Sequence, residues 1–178
     1  MDKLLDRRII MLSDTIVPET CERLVAQLLY LNAEDGKAPI HFYINTPGGS
    51  ISDGFAIFDT VRAISAPVTT ICTGMSASMG TILMLSPPNS KNRVCLPNTR
   101  FMIHQPSSAY HGSASDIEIG AKEILKLRDR LCDIYVAECG VDADKIRIDM
   151  RRDFWMTAKE AVDYGLCDRI VESVGDLS

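Results

Sequence analysis

The sequence predicts an α/β domain with a largely parallel sheet, and three observations carry that prediction. Short β-branched or apolar runs alternate with segments of helical apolar spacing. Pro, Gly and Asn collect at the junctions between them. The composition is that of an ordinary globular chain, with 46% apolar and 24% charged residues over 178 positions, enough apolar material for a layered core.

The elements follow in order. Residues 9–12, all apolar, read as a first strand, and Pro18-Glu19 suits the first turn of a helix reaching about residue 32. Leu24, Leu28 and Leu31 give that helix one apolar stripe. Residues 40–44 read as a buried strand that stops at Asn45-Thr46-Pro47-Gly48-Gly49. The unit then repeats: a helix over 52–64 ends before Pro67, a strand covers 68–73, and a helix runs from about 76 to 85. Strands at 93–96 and 101–104 extend the sheet, a loop covers 107–112, and 113–138 reads as a long amphipathic helix. Helices at 142–150 and 157–164 and a strand at 169–171 complete the chain. Such repeated units imply right-handed crossovers, with ligands beyond the carboxyl ends of the strands. Three strands end there in polar or flexible residues: 45–49, 74–78 and 104–106.

Charge narrows the function. A net charge of −5 gives no bulk attraction to nucleic acid or to an anionic membrane, and neither partner is expected. No run approaches the roughly 18 apolar residues of a membrane span. The opening Met-Asp-Lys-Leu-Leu-Asp-Arg-Arg lacks an apolar segment, so a secretory signal is not expected either. The six cysteines form no Cys-x-x-Cys pair and have no histidines at metal spacing, which suits structural thiols in a reducing compartment and no metal site. With neither a G-x-G-x-x-G pattern nor a Walker lysine, Gly48-Gly49 is weak support for a phosphate site.

Chemistry concentrates at Gly74-Met75-Ser76-Ala77-Ser78-Met79-Gly80. A serine on a strand-to-helix turn among small residues lies next to unpaired helix N–H groups that can hold an oxyanion. The pattern is not a strict G-x-S-x-G, and either serine could instead cap a helix or pack. Of three histidines, His41 falls inside a strand and His111 in a Ser-rich loop, whereas His104 ends an apolar strand just before Gln105-Pro106. That makes His104 the best-placed general base. Many acids follow it, and sequence logic alone does not choose among them. Asp153 stands out because it separates Arg151-Arg152 from the apolar Phe154-Trp155-Met156, against which stands surface ion pairing with those arginines.

Taken together, the segments resemble the Clp protease proteolytic-subunit family, of the ClpP/crotonase fold. The matching stretches are Tyr43 to Ser50, Gly74 to Gly80, Met102 to Pro106, Asp116 to Ile119, and Arg152 to Ala161 running into Tyr164-Gly165-Leu166. They are collinear and span about residues 4–171. The resemblance implies a spiral of βαβ units in one peptidase domain over 1–178, with a head at about 1–106 and 141–178 and a protruding helical handle at about 107–140. It assigns Ser78 as nucleophile, His104 as base and Asp153 as the orienting acid, with the Gly49 and Met79 amides as the oxyanion hole. Ser50 and Ile51 would bind substrate as an added strand, Ile51 lining an apolar P1 pocket.

The same resemblance implies a chamber of two stacked heptameric rings, fed with unfolded polypeptide by an AAA+ unfoldase of the Clp type. The subunit itself would need no cofactor and would work in the cytoplasm, or in the stroma or matrix of an organelle. Ser113, Asp116, Arg151 and Arg152 would lie at the ring interface. Some positions depart from the family pattern. Only eight residues precede Ile9, where an axial segment is usual; His41 replaces a groove aromatic; and Ser108-Ala109 replaces Gly-Gly. Ser113 stands at a frequent Gln position, and Arg151 stands where an acid often pairs across the rings. These departures suggest a weaker double ring, or one completed by a paralogous ring. The rival readings are a non-catalytic ring subunit and a crotonase-type acyl-CoA enzyme.

Overall fold

The computed structural model describes residues 2–173 and 175. The described residues form seven strands: β1 (Ile9–Leu12), β2 (Ile40–Thr46), β3 (Val68–Ala77), β4 (Arg93–Cys95), β5 (Arg100–Ile103), β6 (Phe154–Thr157) and β7 (Arg169–Ile170). Around them lie α1 (Asp2–Leu5), α2 (Pro18–Glu34), α3 (Ile51–Ala63), α4 (Met79–Met84), α5 (Ala114–Cys139), α6 (Ala143–Asp149) and α7 (Ala158–Tyr164). The sheet runs β1-β2-β3-β4-β7 with every pair parallel, as the alternation of elements predicts.

Helix α2 starts at Pro18 and buries Cys21, Leu24, Leu28 and Leu31, the stripe read from the sequence together with one cysteine. At its C-terminal end the Arg8 guanidinium donates to the carbonyls of Leu31, Asp35, Ala38 and Pro39, placing a cation where the helix carbonyls point. Helix α3 is capped by Ser50, whose hydroxyl accepts from the Asp53 amide, and it buries Ile57, Phe58 and Val61. These helices pack with the buried strand residues Ile10, Leu12, Phe42 and Ile44 into one core.

The sheet departs from expectation in its middle. β3 continues to Ala77 instead of yielding to a helix at residue 76, so α4 begins only at Met79. The extension exists because β3 changes partner: Thr70 to Cys72 pair with β4, while Met75 to Ala77 pair with β5. Asn45 sits at the switch, its side-chain oxygen accepting the Met75 amide at 3.1 Å. A further strand, β6, which the sequence shows only as an apolar cluster, pairs antiparallel with β5, setting Ile103 opposite Phe154. Four-residue α1 was also not expected.

Helix α5 has 26 residues, about 39 Å of rise. Its start is a capping box in which Ser113 accepts the Asp116 amide and Asp116 accepts the Ser113 amide. Its two halves differ. Leu131, Cys132, Ile134 and Tyr135 are buried in the core, whereas Ile117, Ile119 and Leu125 are exposed on the N-terminal half.

Candidate active site

The site is built where β3, β5 and the loop after β2 end side by side. Ser78 stands between β3 and α4 with φ 54 and ψ −124, a backbone state rare for a residue with a Cβ. Several bonds hold it there. Its amide donates to Met102 on β5 at 2.8 Å, and its carbonyl accepts the Thr81 amide at 3.0 Å. Gly48, at φ 98, comes so close that a Cβ there would lie 2.7 Å from the Ser78 Cβ. The structure also separates the two serines left open by the motif: Ser76 is fully buried with no partner for its hydroxyl among the described atoms, whereas Ser78 is half-exposed.

His104 leaves β5 one residue past its end, and its Nε2 lies 2.8 Å from the Ser78 Oγ. The next residue ties this strand end to the loop after α6, since the Gln105 amide donates to Met150 and its side chain to the Arg151 carbonyl. That loop carries Asp153. Its Oδ1 lies 3.6 Å from His104 Nδ1, outside hydrogen-bond reach, and its side chain is 63% exposed against 27% for His104.

Two backbone segments, the turn at Gly48-Gly49 and the start of α4, lie next to the serine. Ile16 donates to the Gly48 carbonyl and accepts the Ser50 amide, a parallel bridge that leaves the N–H of Gly49 on the opposite side. Only glycine fits, because a Cβ at residue 49 would collide with the Ile16 backbone. Met79 is the first residue of α4, so its N–H precedes the helical bonding pattern. The Gly48 turn lies against the start of α4: a Cβ on Gly48 would lie 3.1 Å from the Met79 nitrogen. Beside them a cleft of about 20 Å³ is lined by Ile51, Ile82, Pro106, Leu131 and Tyr135 together with Ser78 and His104. A cavity of about 550 Å³ lies elsewhere, between α1, β1 and α2, and none of the three residues lines it.

The remaining sequence candidates sit apart. Ser50 uses its hydroxyl as the α3 cap, and Ile51 lines the cleft. Arg151 and Arg152 are exposed beside Asp153, and Ser113 and Asp116 are paired with each other at the far end of α5. His111 is exposed, and half-buried His41 lies on β2 opposite Ile9. All six cysteines are free thiols; burial pushes Cys139 up to about 12 and raises Cys72 and Cys167 as well. Among the described residues no cluster of His, Cys, Asp or Glu could hold a metal ion, and no helix is long and apolar enough to cross a membrane.

A serine and an imidazole in contact, at the start of a helix and beside a glycine turn, are parts of an acyl-transfer site. The sequence profile of the Clp protease family matches residues 1–174. The ATP-dependent Clp protease proteolytic subunit of Deinococcus radiodurans is 44% identical over 170 residues, covering 96% of this chain and 83% of the relative. The chain belongs to the Clp protease family. As a member of the Clp protease family it is a serine endopeptidase, and the crotonase-type alternative falls away. Sequence reading missed Thr81 and Tyr135 near the Clp protease serine turn. The only local signals are a Thr within the apolar stretch from Met79 to Leu85 and a Tyr on the buried face of α5.

Proposed function

We propose that Ser78 is the nucleophile, His104 its general base and Asp153 the acid that orients the imidazole. One observation carries the reading: a serine at φ 54 whose hydroxyl lies 2.8 Å from the His104 Nε2. Ser78 attacks the peptide carbonyl as His104 takes its proton, and the Gly49 and Met79 amides hold the oxyanion. The leaving amine takes that proton from His104, leaving an acyl-enzyme. Water, deprotonated by His104, then releases the acyl product and restores Ser78. The substrate lies extended beside residues 49–51 and the segment after Pro106, pairing through its backbone, which gives broad sequence tolerance. A cleft of about 20 Å³ holds about one water, so it must widen to take an apolar P1 side chain beside Ile51.

In this reading the chain is one peptidase domain of head and handle that works without a cofactor. It assembles as two stacked heptameric rings in the cytoplasm. The exposed Ile117, Ile119 and Leu125 of α5 support burial of the handle against a second ring. A relative named as ATP-dependent supports an AAA+ unfoldase that delivers unfolded polypeptide. Arg151 and Arg152 place two positive charges at the edge of the site, which favours a ring partner with acidic residues there, including a paralogous ring.

Peptide hydrolysis and oligomer size, measured together on the wild type and Ser78→Ala, test this. Ser78→Ala lowers turnover by roughly 10⁶-fold at unchanged oligomer size. Retained hydrolysis in that variant refutes the nucleophile. An inert wild type that no fluorophosphonate probe labels would favour a non-catalytic ring subunit.

A further inference from the structure

Thr81 and Tyr135 form a buried relay that ends on the serine turn. The Thr81 hydroxyl lies 2.6 Å from the Ser78 carbonyl oxygen, and the Tyr135 hydroxyl lies 2.6 Å from the Thr81 hydroxyl. Thr81 is fully buried and Tyr135 is 2% exposed. A carbonyl can only accept, so the one Thr81 proton goes to Ser78 and the phenol proton goes to Thr81. The relay therefore has a single direction: Tyr135, Thr81, Ser78. Burial raises the phenol above its ordinary value, so Tyr135 stays a donor through the neutral range.

The consequence follows from peptide geometry. The Ser78 carbonyl and the Met79 N–H belong to one planar trans peptide and point in opposite directions. Pulling the carbonyl inward turns the N–H outward. The Thr81 amide adds a second bond to the same oxygen at 3.0 Å. Hydrogen bonds in series polarise one another, so the N–H at the far end becomes a stronger donor. Tyr135 comes from the buried half of α5, four residues after Leu131, and both side chains line the cleft.

We infer that Thr81 and Tyr135 are positioning residues that orient the Ser78–Met79 peptide, aiming the Met79 N–H at the oxyanion and linking its aim to α5. The inference rests on the reading of Ser78 as nucleophile and Met79 as an oxyanion donor. Thr81→Val keeps the shape and removes the donor. It lowers kcat roughly tenfold with KM unchanged, short of the roughly 10²-fold or more lost when an oxyanion donor is deleted. Thr81→Ser, which retains the hydroxyl, recovers the activity. Tyr135→Phe costs roughly threefold, and the double variant is no worse than Thr81→Val, because the two act in series.

Binding of a peptide aldehyde is the readout that a purely structural role would not move. Its hemiacetal oxygen occupies the oxyanion site, so its affinity weakens by the same factor as kcat. Melting temperature and oligomer size are followed in parallel. A folded Thr81→Val enzyme with wild-type kcat, or with its loss confined to KM, overturns the inference. Should Thr81→Val fail to fold, Tyr135→Phe decides: wild-type kcat and aldehyde affinity there overturn it equally. Ser78→Ala in the same assay separates the two levels, since its residual activity would refute the nucleophile itself.

Discussion

The two sides of His104 are built differently. On one side, Ser78 is fixed by sheet and helix: its amide bonds β5, its carbonyl accepts from Thr81, and Gly48 closes over its Cβ. On the other, Asp153 rides an exposed loop after α6 and stops 3.6 Å short, with no hydrogen bond to the imidazole. The Ser78 half is thus complete within one chain, because secondary structure positions it. The acid half hangs on a segment that an isolated chain leaves in water, where a carboxylate gains little from an imidazole. In the proposed double ring, contacts between subunits beside Arg151 and Arg152 would close that gap.

The variant that bears hardest on this contrast is Asp153→Asn. In the assembled enzyme it lowers kcat by about 10⁴, the loss typical of a triad acid. In dilute, dissociated chain it leaves the rate of fluorophosphonate labelling nearly unchanged. Comparing labelling rates at low and high protein concentration reads both, and a large loss in the dissociated chain breaks the comparison.

A stability effect probes how far the rigid side extends. Arg93, 1% exposed, donates to the Pro87 carbonyl and to the Glu138 carboxylate, which also pairs with Arg62 at 2.7 Å. Those contacts anchor the end of α5 that carries Tyr135. Glu138→Ala strands a buried guanidinium and costs about 3 kcal/mol, read as a lower urea midpoint at unchanged slope. An unchanged midpoint would mean that α5 is anchored by apolar packing alone.

Gly48→Ala tests the closeness of the loop. Its Cβ would meet Ser78 at 2.7 Å on a backbone at φ 98, so either the loop or the serine must shift. A misplacement of this kind costs roughly 10²-fold in kcat. Wild-type turnover would show that the loop moves away freely.

The frame was legible in the sequence because its signals are local. Apolar spacing at Leu24, Leu28 and Leu31, the Pro18 start and the Pro67 stop each act within a few residues. What escaped depends on distant partners. β3 runs to Ala77 only because β5 pairs with it, and β6 exists only as the antiparallel mate of β5. Spacing alone could not choose between Ser76 and Ser78, nor show that the fold buries Ser76 and leaves Ser78 half-exposed. The resemblance supplied Ser78, His104 and Asp153 as a set, but not that Asp153 would lie loose while the other two touch. Thr81 and Tyr135, 54 residues apart, carry no pairing signal in one sequence.

The smallest effect concerns pH. Burial holds the His41 imidazole below its ordinary 6.5, so the unfolded chain takes up that proton first as the solution is acidified. The stabilisation is whole above pH 6.5 and is lost as pH falls through the lower folded-state value. Between neutrality and pH 5 the wild-type melting temperature therefore drops further than that of His41→Gln. Parallel curves would contradict this.

The most direct test is fragment sequencing, by mass spectrometry, of the fluorophosphonate adduct formed by the wild type and by His104→Ala. A single adduct on Ser78, formed on the order of 10²-fold or more slowly without the imidazole, is the predicted result. An adduct on Ser76 or on any other side chain, or an unchanged rate without His104, would contradict the account.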